Sequence, residues 1–104
     1  MTKKRDRTVR REGERDARKL ADAKEKLAKL EQGGAPDRPI RVDSASQIEL
    51  RVESMTCARC DGELRVHEHV ARVVLGHSLR MVDARCKRCG ARREVWLVIA
   101  SDLN

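Results

Sequence analysis

Two cysteine pairs, Cys57-Ala-Arg-Cys60 and Cys86-Lys-Arg-Cys89, stand 25 residues apart in a chain with no other cysteine. Two residues between cysteines let one tight turn aim both sulfurs at a single ion, and two such turns complete a tetrahedron. The rest of the chain makes a staple of this kind necessary. Charged residues make up 39% of its 104 residues, and Trp96 is the only aromatic side chain. Aromatic rings normally supply much of a core's buried area. Here burial falls to Val, Leu, Ile, Met and Ala, and a segment this small and polar does not fold on burial alone.

The compartment bears on the cysteines. The first residues, Met1-Thr-Lys-Lys-Arg-Asp-Arg7, are charged and no apolar run follows them, so no signal peptide is read. No stretch approaches the roughly 18 apolar residues of a membrane-spanning helix. The expectation is a cytoplasmic protein. In a reducing compartment, paired cysteines are metal ligands or redox groups more often than structural disulfides.

Residues 1–13 are dense in charge and read as a basic, flexible arm. Residues 14–32 are rich in helix formers, with Leu20, Ala23, Leu27 and Leu30 at the spacing of a narrow apolar seam. A seam of two heptads is marginal alone, so it is expected to dock on the β domain, on a partner or on a second copy, or else to fray as a spacer. Residues 33–47, with two glycines and two prolines, read as a linker that Ile40 and Val42 pin to the domain. Residues 48–104 form the domain proper. Ile48, Leu50 and Val52 alternate with charged residues and predict a strand. Leu64 to Val74 predict a second strand, Gly76-His77-Ser78 a turn, and Leu79, Met81 and Val82 a third strand that delivers Cys86. Glu94 to Ala100 predict the strongest strand.

Strand, cysteine knuckle, hairpin, knuckle, strand: over roughly residues 48–100 the pattern resembles the zinc-ribbon family. The second knuckle, Cys-Lys-Arg-Cys-Gly, fits it well. The first has Ala58 where many ribbons carry proline, and Asp61 stands before its glycine. Gly90 is expected to take positive φ so that amides point at sulfur, and Gly62 to do the same one residue later in its turn. The resemblance implies a small β fold of about four antiparallel strands and one Zn²⁺ per chain on Cys57, Cys60, Cys86 and Cys89. Four cysteine ligands leave no position for water, which marks a structural site and argues against an enzyme.

The other candidate groups admit two readings each. His67 and His69 fall on one face of a predicted strand, with His77 in the next turn: extra ligands, or exposed strand residues. Arg85, Lys87, Arg88, Arg92 and Arg93 crowd the second knuckle. They read as a phosphate-contacting patch or as charge balance for a tetrathiolate site of net charge about −2. Trp96 reads as a residue that stacks on a base or, in a strand flanked by Val95 and Leu97, as a core or edge residue. Of the formal charge of +7, residues 1–33 carry +5, so the basic character belongs to the N-terminal segment.

Three function classes follow. The first is a non-enzymatic adaptor or regulator that binds a protein or nucleic acid, with nucleic-acid binding expected to be weak, salt-sensitive and indifferent to sequence. The second is a rubredoxin-like iron electron carrier. Against it, rubredoxins pack aromatic residues about the iron and this chain has one. The third is a redox sensor in which oxidation expels zinc, since nearby arginines favour the reactive thiolate.

Overall fold

The computed structural model describes residues 6–102. The elements are α1 (Asp6–Leu30), β1 (Ile40–Val42), α2 (Ser46–Glu53), β2 (Leu64–Val74), β3 (His77–Cys86), β4 (Arg92–Ile99) and a closing 3-10 turn at Ala100–Asp102. The strands form one sheet in the order β1-β4-β3-β2. Strands β2, β3 and β4 are antiparallel neighbours, and β1 joins β4 in parallel with Ile40 opposite Leu97. The expected small β fold with a helical N-terminal extension is present, and its sheet is antiparallel except at that one edge.

The long hairpin is built as its apolar spacing predicts, from Leu64 opposite Cys86 to Val74 opposite His77. Its turn lies earlier than expected. Leu75 and Gly76 take φ of 49° and 80°, the backbone that a two-residue turn needs to match strand twist. His77 is already in β3. A bulge between Val66 and Glu68 leaves His67 outside the ladder, so His67 and His69 do not share the regular alternation expected of them.

Residues 48–52 are helical, which corrects the predicted strand. Ile48 and Val52 are fully buried, whereas Leu50 is 68% exposed. The alternation hides an i, i+4 pair, and that pair sits on one helical face. The Gln47 side chain accepts from the Asp43 amide at 2.9 Å, fixing the entry to α2. The Ser54 hydroxyl donates to the Arg51 carbonyl at 2.6 Å near its end.

The expected linker, 33–47, is more ordered than its composition predicts. Gly33 has φ 88°, its carbonyl accepts from the Trp96 amide at 2.8 Å, and a Cβ there would meet Ile40 Cδ1 at 2.6 Å. Arg38 Nη2 donates to the Lys29 carbonyl at 2.8 Å, capping the end of α1. Pro39 precedes β1 at the sheet edge, a position that spares a missing N–H.

Buried side chains lie on both sheet faces. The larger cluster joins Ile48 and Val52 of α2 to Val82, Ala84, Val95 and Leu97, and includes Cys57 and Cys86. The smaller holds Leu79, Met81, Trp96 and Val98. Among the described residues α1 is helical from Asp6 onward, so residues 6–13, expected as a flexible arm, continue the helix expected over 14–32. Residues 1–5 of the expected arm lie outside the described residues. Leu20, Leu27 and Leu30 are 58%, 60% and 67% exposed, and Ala23 is exposed too. The helix instead turns the half-buried Ala21, Glu25 and Ala28 inward.

Candidate metal centre

The cysteine centre is assembled at one end of the main cluster. The first knuckle follows α2, and the second joins β3 to β4. Both close with the same hydrogen bonds. Cys57 N donates to the Gly62 carbonyl at 2.8 Å and Asp61 N to the Cys57 carbonyl at 3.0 Å. In the second, Cys86 N donates to the Ala91 carbonyl at 2.9 Å and Gly90 N to the Cys86 carbonyl at 3.0 Å. An isolated bridge between Thr56 and Glu63 flanks the first turn.

The equivalent of Gly90 (φ 77°) is therefore Asp61 (φ 60°). The role expected of Gly62 falls to Asp61, a residue type that tolerates left-handed backbone better than most. Gly62 is needed for space. A Cβ on it would lie 2.8 Å from Cys86 Sγ, 2.9 Å from Arg88 Cβ and 3.2 Å from Cys60 Sγ. Gly62→Ala is expected to weaken metal affinity about 10- to 100-fold, since overpacking costs roughly 1–3 kcal/mol. Competition with a chromophoric chelator measures this. Gly13→Ala, at a site with open space around it, should leave the affinity unchanged.

All four sulfurs lie within 4.8 Å of one another, and among the described residues this is the only such group of candidate ligands. Cys57 and Cys89 Sγ are 3.6 Å apart, and Cys60 and Cys86 Sγ 3.4 Å. A tetrahedral ion with metal–sulfur bonds of about 2.3 Å places its sulfurs about 3.8 Å apart, so the donor set fits one such ion. Amide groups point at sulfur as well. Arg59 N donates to Cys57 Sγ at 3.4 Å, and Arg88 N and Cys89 N donate to Cys86 Sγ at 3.3 and 3.4 Å.

These contacts polarise the thiols unequally. The Cys89 amide, then the Arg88 amide, outweigh desolvation and draw the Cys86 thiol down to about 6. Cys60, hydrogen-bonded to Cys86, is pushed up to about 12. Desolvation raises Cys57. The Cys86 sulfur thus carries negative charge first, while burial of Cys57 and the hydrogen bond from Cys60 to Cys86 favour the protonated thiol at those two residues.

The five cations near the second knuckle are each engaged locally. Arg92 Nε contacts the buried Asp83 carboxylate at 3.0 Å and Arg85 Nε reaches it at 3.5 Å. Lys87 pairs with Glu63 at 3.1 Å. Arg88 Nη1 donates to the Cys60 carbonyl at 3.2 Å and Arg93 Nη1 to the Thr56 carbonyl at 2.5 Å. Lys87, Arg88 and Arg93 so tie the second knuckle to the first. Burial lowers the pKa of Arg93. The histidines stay apart from the centre; His69 Nδ1 lies 3.7 Å from Glu49, and its Nε2 is buried without a partner.

Sequence reasoning missed Arg59. It lies inside the first Cys-x-x-Cys turn, and its Nη1 bonds Asp22 at 2.6 Å and Glu25 at 2.7 Å. Glu25 and then Asp22 hold its guanidinium charge above the ordinary range. The knuckle is thereby tied to α1. The signal in the sequence was an acidic pair, Asp22 and Glu25, three residues apart and so on one face of the helix.

No family model matches the chain, and neither a curated protein nor a solved structure shows significant similarity to it.

Proposed function

We propose that this chain is a structural zinc module of the zinc-ribbon kind that acts as an adaptor, by binding and not by catalysis. The observation that carries the reading is the four-sulfur cluster within 4.8 Å, held by two knuckles of matching hydrogen-bond pattern. Four thiolates saturate a tetrahedral ion, so the site stabilises structure and offers no position to a substrate. Iron electron transfer is less well supported, because Trp96 packs in the cluster that excludes Cys57 and Cys86. The exposed leucines of α1 supply a contact surface, for a partner or for a second copy of the chain.

Metal content of the untagged, natively purified protein tests this directly. One zinc per chain and a colourless solution are expected. Iron with visible absorption would overturn the reading in favour of electron transfer. Free thiols without metal would remove the metal centre altogether. No helix among the described residues is long and apolar enough to cross a membrane.

A further inference from the structure

The cations at the second knuckle are occupied at home, but those of the first half of α1 are not. Arg7, Arg11, Arg15 and Lys19 recur every four residues with Arg18 beside them, and all five are exposed. Among the described residues none of the five has an ion-pair partner. By helical spacing Asp16 lies off this row, while Glu12 and Glu14 flank its two edges, so residues 7–19 keep six Lys or Arg against three Asp or Glu. Like charges four apart weaken a helix, and here the pairing is repeated three times in succession. An external polyanion relieves that repulsion.

We propose that this row binds the phosphate backbone of duplex nucleic acid, without reading its sequence. The proposal rests on the adaptor reading and names its partner. Four residues rise about 6 Å, so the row spans about 18 Å. A strand presents one phosphate per about 3.4 Å of axis, so the row faces about five. Single strands fit poorly, because they are held on aromatic platforms and the one aromatic residue, Trp96, is buried in the sheet. A bilayer surface fits poorly too. The line of the leucine seam, continued into this half of α1, carries Asp16, Gly13 and Val9, so a single exposed apolar side chain is all it offers to lipid.

The test is fluorescence anisotropy of the full chain on mixed-sequence DNA and RNA duplexes across a salt series, with metal content measured on the same samples. Both duplexes should bind, with a slope of log affinity against log salt of about −4 on DNA. The double variant Arg11→Gln, Arg15→Gln should reduce that slope by about 2. Arg72→Gln, which removes an exposed charge from β2, should leave it unchanged. A slope near zero, a slope indifferent to the double variant, or binding confined to single strands, anionic vesicles or acidic peptides would overturn the proposal. Duplex binding with the expected slope by a chain that holds no metal would keep the phosphate row and refute the zinc module, so the two readings fail separately.

Discussion

Chelation of the metal is expected to abolish the cooperative fold of the β domain, not merely to loosen the knuckles. Cys57 and Cys86 are 2% and 4% exposed and belong to the main cluster, so the centre is one wall of the core. Strand β3 ends on Cys86 and pairs there with Leu64 at the start of β2. Without the ion, nothing covalent holds the two knuckles together, and the remaining burial includes one large aromatic group, Trp96. Structural zinc contributes on the order of 10 kcal/mol in small domains, as much as the whole margin of many folds, about 5–15 kcal/mol. Far-ultraviolet circular dichroism after chelation should show loss of β signal and of cooperative melting, restored by one equivalent of zinc. Affinity should fall steeply as pH falls, because thiols must lose protons to bind: Cys86, drawn down to about 6, is ionised beforehand at neutral pH, whereas Cys57 and Cys60 are shifted upward and must give up theirs. Cys86→Ser should be more damaging than Cys89→Ser, since Cys86 is buried and its sulfur accepts two amides, whereas Cys89 is exposed. A chelated chain that melts as cooperatively as the loaded one would show that the sheet stands by itself.

The cysteine pairs were legible because metal geometry fixes their spacing locally. So was the hairpin, two apolar segments on either side of a glycine turn, and β4, whose apolar run matches its burial on both faces. What the sequence concealed was long-range or short-period. The three-residue β1 is a strand only because β4 lies beside it, and a parallel partner some 57 positions away leaves no local mark. The knuckle equivalence of Asp61 and Gly90 was obscured by the glycine one residue later. The cations around Cys86 drew attention as a patch, yet their partners, Asp83, Glu63 and two backbone carbonyls, are set by the fold. The seam of α1 was visible, but burial was not, because an apolar row states what can be covered and not what covers it.

Ile48→Ala is expected to cost about 3 kcal/mol, and Leu50→Ala no more than about 0.5 kcal/mol. The contrast decides between two readings of the same five residues. On a strand, Ile48, Leu50 and Val52 point the same way, and truncating any of them removes comparable contacts. On α2, Ile48 and Val52 share a face one turn apart while Leu50 is turned away from it. Ile48 and Val52 are each 0% exposed within the cluster that contains Cys57, so their loss opens space beside the metal centre as well as under the sheet. Val52→Ala should therefore follow Ile48→Ala, at about 2 kcal/mol for its smaller side chain. Urea unfolding of the zinc-loaded chain at fixed free zinc measures all three, since a varying metal concentration would itself shift the midpoint. Equal costs at 48, 50 and 52 would restore the strand. A large cost at 48 and 52 with none at 50 requires the helix, because no extended segment buries positions 48 and 52 while exposing the residue midway between them on the same face.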